Sequence, residues 1–190
     1  KAMAIALQGA GYRVSAVANR TFPSAHAISR SVPGCRAVAT SQSVADSCEL
    51  VFITTPDAAI LDVARSVKWY PGQWVVHCSG ALSLDCLGEA RQQEAMVASF
   101  HPLQTFGAVN KPTNRFLGIT FAIEGSGQLL KALEAMAGCL GGGALLLTAE
   151  QKPVYHAAAV MSCGYITTLI WQAVKLWQHL GFSQEMALAG

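Results

Sequence analysis

The sequence predicts an α/β fold in which a doubly wound, mostly parallel sheet is followed by the start of an all-helical domain. Up to residue 149, short apolar runs of the strand type alternate with helical patterns. Such alternation indicates parallel strands with helices on both faces of the sheet, and right-handed crossovers complete the doubly wound topology. From residue 150 to residue 180 the pattern is helical throughout. We therefore expect an α/β domain over residues 1–149 and the beginning of a helical domain over residues 150–190.

The predicted strands are short apolar runs bounded by turn residues. The run at 50–54 reads LVFIT, the run at 73–78 reads QWVVHC, and the run at 96–100 reads MVASF. Continuous apolar runs of this length are typical of strands that are buried on both faces. The complete set of predicted strands lies at residues 14–18, 36–39, 50–54, 73–78, 96–100, 119–123 and 144–147.

The predicted helices show apolar periodicity or clear start and stop signals. A first helix ends at Gly9 and Gly11, which suits a tight turn into the first strand. The segment 58–67 places apolar residues at positions i, i+1, i+4 and i+7, which form one helix face. The predicted helices lie at residues 2–8, 23–30, 58–67, 84–91, 129–140 and 150–180, the last one capped by Gly181.

Composition and charge exclude several classes of protein. Hydrophobic residues make up 52% of the chain and charged residues 13%, with a formal net charge of +2. This is the composition of a folded protein rather than a disordered one. Because lysine and arginine form no run, neither nucleic acid nor a membrane surface is an expected partner.

The cysteines and one uncharged segment bear on the cellular compartment. The six cysteines are scattered without a CxxC pair, which favours a reducing cytoplasm over a disulfide scaffold. Residues 157–174 carry no formal charge and are long enough to raise the question of a membrane span. Ser162, Thr167 and Gln172 interrupt this segment, and Lys175 follows it, so we interpret it as a buried helix of a soluble protein.

The start of the chain lacks the glycine-rich turn of a dinucleotide-binding fold. In that fold the first strand runs into the turn, and the pyrophosphate lies at the start of the following helix. Here the chain begins inside a helix, and no GxGxxG precedes the strand at 14–18. We therefore expect a fragment without the first strand and its turn; the alternative is a fold that never had the turn.

The residues after the strand at 14–18 indicate which dinucleotide is bound. NAD proteins usually place an acidic residue there, whereas NADP proteins use small polar and basic residues. This chain has Asn19 and Arg20, and arginine offers a planar, permanently charged fork that suits a phosphate. The alternative is a surface arginine in a turn. The cofactor prediction is NADP.

Further polar residues follow the strands at 50–54 and 73–78, where ligands of open α/β sheets bind. Thr55 and Pro56 lead into a helix, and Asp57 is expected to cap that helix rather than to act as a catalyst. Ser79 could bond a carboxamide or a substrate oxygen, or it could cap the following turn. Gly80 would let the backbone come near a ligand.

Two histidines are the candidate catalysts. His101 follows the strand at 96–100 and could exchange a proton near neutral pH, or it could be an ordinary hydrogen-bonded histidine. His156 lies four residues after Lys152, so a helix would place both on one face. That face could point into the cleft or form the exposed first turn. No spacing of His or Cys suggests a metal site, and there is no GxSxG motif.

Five motifs together resemble Rossmann-like proteins with a DUF2520 C-terminal domain. The motifs are VSAVANR at 14–20, VFITTPD at 51–57, HCSGALSLDCL at 77–87, SFHPLQTFG at 99–107 and YHAAAVMSCGYITTL at 155–169. This family is described as NADP-dependent oxidoreductases and is distantly similar to pyrroline-5-carboxylate reductase and to F420-dependent NADP reductase. The likeness covers essentially the whole chain.

The resemblance implies site residues and an assembly. It implies cofactor contacts from six residues, Asn19, Arg20, Thr55, Pro56, Ser79 and Gly80. It also implies substrate-side roles for His101 and His156, and a homodimer formed through the helical domain. The chain departs from the family in two respects: the glycine turn is absent, and Cys163 follows Ser162 where the family is expected to have asparagine.

The sequence thus predicts an NADP(H)-dependent oxidoreductase that acts on an unknown small molecule by hydride transfer in the cytoplasm. The alternative is a non-catalytic NADP(H)-binding sensor or regulatory module that dimerises through its helical domain. Neither hypothesis includes a metal, a nucleic acid or a membrane as a partner.

Overall fold

The computed structural model describes residues 1–106 and 115–189. The final glycine of the SFHPLQTFG motif therefore lies outside the described residues. The chain divides into two compact units, Lys1–Lys152 and Pro153–Gly190. The predicted domain boundary at residues 149–150 stays a prediction.

The first unit contains two sheets. Its strands are β1 (Ala16–Val17), β2 (Arg36–Ala37), β3 (Leu50–Ile53), β4 (Trp74–His77), β5 (Met96–Pro102), β6 (Thr120–Glu124) and β7 (Gly143–Leu146). Strands β1 and β2 form a parallel pair. The other strands form a sheet in the order β3-β4-β5-β6-β7, in which β5 and β6 are antiparallel and the other neighbours are parallel. The predicted, mostly parallel α/β sheet is thereby confirmed.

Helices connect and cover the strands. The helices of the first unit are α1 (Ala2–Gly9), α2 (Phe22–Ser29), α3 (Ser41–Ala45), α4 (Asp57–Ser66), α5 (Gly88–Gln92) and α6 (Gly127–Cys139), with 3₁₀ turns at Leu84–Leu87 and Ala149–Gln151. The sequence did not predict α3, because five residues rich in serine show no apolar period. The hydroxyl of Thr40 starts that helix by accepting the backbone N–H of Ser43.

The inner strands β4, β5 and β6 of the larger sheet are buried on both faces, as the continuous apolar runs predicted, whereas the edge strand β7 is exposed. On one face, Val76, Phe100 and Phe121 belong to a cluster with residues of α6. On the other face, Val51 and Val75 belong to a cluster with residues of α4 and α5. Successive side chains of a strand point to opposite faces, so neighbours such as Val75 and Val76 enter different clusters. The second of these faces carries the candidate site.

The second unit is helical. Helix α7 (Lys152–Val160), a π-helical turn (Met161–Tyr165) and α8 (Ile166–His179) follow one another, and α9 (Gln184–Ala189) comes after a turn. Gly181 has a φ of 92° after α8, which confirms the predicted glycine stop. Among the described residues, one helix, 149–179, is long and apolar enough to cross a membrane, but a single helix of this kind is weak evidence for a span.

The prediction that residues 157–174 form a buried helix is wrong within this chain. Most of the segment is exposed, and Leu169 retains 69% of its accessible surface. Val174 is buried. The apolar residues lie mainly on one face of α8. The short helix α9 packs beside α8 and covers only part of that face.

Candidate functional site

The turn after β4 is organised by the hydroxyl group of Ser79. This hydroxyl donates a hydrogen bond of 2.6 Å to Asp57 Oδ2. The same oxygen accepts the backbone N–H groups of Ala81 and Leu82, each at 3.1 Å. The prediction that Ser79 caps the following turn is confirmed. Because its one hydrogen is directed to Asp57, the side chain of Ser79 has no hydrogen left for a carboxamide or a substrate oxygen.

The prediction that Asp57 caps α4 is wrong. Pro56 occupies the N-cap position, Asp57 is the first residue of the helix, and no side-chain capping bond forms. The Asp57 carboxylate accepts the hydroxyl of Ser79 instead, across 22 residues of sequence. A carboxylate in the first turn also interacts favourably with the helix dipole, so Asp57 supports the start of α4 without capping it.

Gly80 and His101 are in direct contact. A Cβ built on Gly80 would lie 2.8 Å from Cε1 of His101, and 2.9 Å from both Nδ1 and Nε2. The imidazole therefore lies against the Cα of Gly80, and only glycine leaves room for it. The ends of β4 and β5 are adjacent in the sheet, which brings together these two residues that the sequence predicted separately.

Three buried polar side chains form a row across the neighbouring strands β4, β5 and β6, close to this contact. In the strand register, His77 on β4 is paired with Ser99 on β5, and Ser99 is paired with Glu124 on β6. All three are buried, and His77 and Ser99 have no exposed surface. Within the described part of the chain, His77 Nε2 and Ser99 Oγ have no hydrogen-bond partner. The sequence analysis did not identify this row, although a glutamate that ends an apolar strand (TFAIE) is a signal for it.

Lys152 joins this row from the beginning of α7. Its Nζ lies 3.0 Å from Glu124 Oε2 and donates a hydrogen bond to the carbonyl oxygen of Leu82. Only 2% of its surface is exposed. The alternative that Lys152 lies on an exposed first turn is therefore wrong, since the lysine is drawn inward by a buried carboxylate and a carbonyl.

Burial is the main reason why His77 is neutral. Burial lowers the pKa of His77 to about 3; the positive charge of Lys152 and the nearby His101 act in the same direction, while Asp57 acts against it. Burial also lowers the pKa of Lys152, and Glu124 opposes that shift. Since His77 Nδ1 accepts the backbone N–H of Ser79 at 3.2 Å, the proton of the neutral ring lies on Nε2.

The predicted cofactor residues lie at the carboxyl ends of their strands. Asn19 and Arg20 follow β1 and are exposed, and the side-chain oxygen of Asn19 accepts the backbone N–H of Arg20 at 2.7 Å. Thr55 and Pro56 follow β3 and are exposed as well. Ser79 and Gly80 follow β4 and are buried.

His156 lies on α7, in the second unit. It is half-buried, and its Nδ1 has no hydrogen-bond partner among the residues that the structure describes. His101 belongs to the first unit, and the catalytic roles of both histidines stay predictions. In the described ranges, no group of three or more His, Cys, Asp or Glu side chains could hold a metal ion.

Known proteins resemble the chain over nearly its whole length. Residues 1–102 match the Rossmann-like domain family, and residues 119–189 match a domain of unknown function, DUF2520. No curated protein sequence matches the chain. A candidate NADP oxidoreductase from Bacteroides fragilis is 22% identical, with a TM-score of 0.80 over 98% of this chain and 71% of its own.

Two further solved structures share the fold. A 1-pyrroline-5-carboxylate reductase from Streptococcus pyogenes is 17% identical, with a TM-score of 0.70 over 100% of this chain and 71% of its own. An imine reductase from a Pseudomonas species is 20% identical, with a TM-score of 0.77 over 99% of this chain and 66% of its own. At these identities the likeness shows a common fold. With more than half of its length matched, the chain belongs to the Rossmann-like family and carries a DUF2520 segment at its C-terminal end.

Proposed function

We propose that this protein is an NADP(H)-dependent oxidoreductase that acts on a small molecule by hydride transfer. The observation that carries the proposal is the contact of His101 with Gly80 at the carboxyl ends of two adjacent strands. Ligands of open α/β sheets bind outside those ends. The bound cofactor would supply the hydride, and the protein would bind and orient it.

The residues after β1, β3 and β4 suit a phosphorylated dinucleotide. Arg20 is exposed, and its guanidinium can form two parallel hydrogen bonds with a phosphate. Asn19 would support it from the same turn, and Thr55 and Pro56 would lie along the cofactor. At Ser79 and Gly80 the contact would come from the backbone, because the Ser79 hydroxyl is already bonded to Asp57.

His101 is the proposed proton donor. An imidazole at a strand end can release a proton near neutral pH. His77 is unsuited to this role, since burial lowers its pKa to about 3 and it stays neutral in the working range. His156 is the second proposed donor. Because several solved neighbours are named imine reductases or reductive aminases, imines and ketones are the first substrates to test.

Calorimetric titration with NADPH and NADH, followed by a turnover assay, tests the proposal. Both assays use the full-length protein. We expect NADPH to bind at least about tenfold more tightly than NADH, which corresponds to about 1.4 kcal/mol. Oxidation of NADPH with imines, ketones or 2-keto acids would then support an oxidoreductase. Binding without turnover would favour a sensor, and no binding of either dinucleotide would contradict both.

We further propose that a second copy of the chain covers the apolar surface of α8. Leu169 and Leu176 lie seven residues apart, hence on one face of the helix, and they are 69% and 70% exposed. Large exposed apolar surfaces of this kind mark interaction sites. A membrane surface is the competing occupant.

Sedimentation tests whether a second copy of the chain or a membrane covers the apolar surface of α8. We expect the wild-type protein to sediment as a dimer and the L169E/L176E variant as a monomer. Lys175→Glu changes an exposed residue of the same helix and is the matched control, which should remain dimeric. A wild-type monomer that floats with phospholipid vesicles would contradict the dimer.

A further inference from the structure

We infer that Lys152 is a positioning residue that holds the turn of residues 79–82 in the form that the cofactor requires. The inference rests on the proposed function for its catalytic consequence, and on contacts within the first unit for its structural basis. The relevant contacts are those of Lys152 Nζ with Glu124 and with the carbonyl oxygen of Leu82. No other lysine of the chain is buried among the described residues.

Leu82 is held through both polar groups of its backbone. Its N–H donates to Ser79 Oγ at 3.1 Å, and its carbonyl oxygen accepts a hydrogen bond from Lys152 Nζ. Ser79 is in turn held by Asp57. The turn is therefore fixed at its first residue by a carboxylate and at its last residue by an ammonium group, and Gly80 lies between them against His101.

Burial of the Lys152 ammonium group costs desolvation free energy. This cost indicates that the lysine has a role beyond filling space in the core. A buried ion pair is often no more stabilising than apolar side chains of the same volume. A methionine would fill the space of Lys152 without any desolvation of charge, yet it could not donate to Leu82. What lysine adds is a charge-assisted hydrogen bond, and such bonds are about twice as strong as neutral ones. Glu124 supplies the countercharge, which opposes the lowering of the Lys152 pKa by burial.

A purely structural ion pair is the competing explanation, and paired variants separate the two. Lys152→Met leaves the buried Glu124 carboxylate without its cation and should be strongly destabilised. The double variant K152M/E124Q removes both charges and should recover most of the lost thermal stability. It still lacks the donor to Leu82. Lys131→Met, which removes an exposed lysine of α6, is the control for the loss of a positive charge.

The first measurement is hydrogen exchange in the cofactor-free protein. In K152M/E124Q we expect the backbone amides of Ala81 and Leu82 to exchange at least about tenfold faster than in the wild type, since a lost hydrogen bond to a charged group is worth that much or more. Protection equal to that of the wild type would overturn the inference. This result does not depend on NADPH, so it stands even if the proposed function fails.

The second measurement is steady-state kinetics with NADPH. We expect K152M/E124Q to raise the KM for NADPH about tenfold, with kcat at saturating NADPH within about threefold of the wild type. Glu124→Gln keeps the bond between Lys152 and Leu82, because the lysine amine carries N–H donors in either protonation state. It should lower Tm while leaving the amide protection and KM close to those of the wild type. A rise of about tenfold in KM for Glu124→Gln would overturn the positioning role, whether or not the double variant folds.

Discussion

The imidazole of His101 lies on the Cα of Gly80, so close that a Cβ at position 80 would come within 2.8–2.9 Å of three ring atoms. All three atoms belong to the His101 side chain, and no backbone atom is among them. The contact joins the turn after β4 to the end of β5. The imidazole of His101 therefore determines whether a side chain fits at position 80.

Replacement of Gly80 by alanine should therefore be destabilising. We expect Gly80→Ala to lower the free energy of unfolding by about 1–3 kcal/mol, the usual cost of overpacking, as measured by urea denaturation. The cost should largely disappear when Gly80→Ala is introduced into a His101→Ala background. Gly88→Ala is the control, because Gly88 begins α5 with ordinary helical angles and has open space at its Cβ. Equal stability of the two alanine variants would contradict the contact.

The free energy of unfolding should decrease as the pH is lowered, because of His77. Its pKa is lowered from 6.5 to about 3 in the folded protein, where Lys152, Asp57 and His101 are the charged or titratable groups around it. Between these values the unfolded chain binds a proton that the folded protein does not. The free energy of unfolding should then decrease by up to about 1.4 kcal/mol per pH unit as the pH falls below 6.5.

His77→Asn tests this pH dependence. Asparagine keeps an acceptor for the N–H of Ser79 but cannot titrate in this range. The slope of stability between pH 6 and pH 4 should be smaller in the variant than in the wild type, measured by denaturation at each pH. Identical slopes would show that His77 is not the group responsible.

The bond between Ser79 and Asp57 should be measurable as a coupling energy. A double-mutant cycle with Ser79→Ala and Asp57→Asn is expected to give a coupling of about 1.5–3 kcal/mol, because a hydroxyl bonded to a carboxylate at 2.6 Å is a charge-assisted pair. Ser66→Ala, whose hydroxyl bonds a backbone carbonyl at an exposed site, gives the reference cost of a serine deletion. Additive effects in the cycle would show that the pair contributes no interaction of its own.

Arg20 should determine the preference between NADPH and NADH. We expect Arg20→Ala to weaken the binding of NADPH by about 10- to 100-fold, which is the loss of a hydrogen bond between charged groups, and to leave the binding of NADH almost unchanged. Calorimetric titration with both dinucleotides is the measurement. Arg30→Ala removes another exposed arginine, at the end of α2, and should not alter the preference. Equal losses for both dinucleotides would place Arg20 away from the 2′-phosphate.

The local pattern of the chain was sufficient for most of the fold. Strand β4 lies inside the predicted run QWVVHC, and β3 lies inside LVFIT, because apolar runs between turn residues are local features. Helix α3 was missed for the opposite reason, since its serine-rich sequence has no apolar face and its start depends on the Thr40 cap.

The sequence by itself determined the α/β class, the order of the strands and helices, and the polar residues at strand ends, since each depends on neighbours within a few positions. Only the tertiary structure decided what those polar residues do. Asp57 bonds Ser79 across 22 positions, and Lys152 bonds the carbonyl oxygen of Leu82 across 70. His77 is neutral because folding buries it. Position 80 has no room for a side chain because the ring of His101 packs against it. Contacts between distant residues, and the burial that accompanies them, leave no periodic trace in the local sequence.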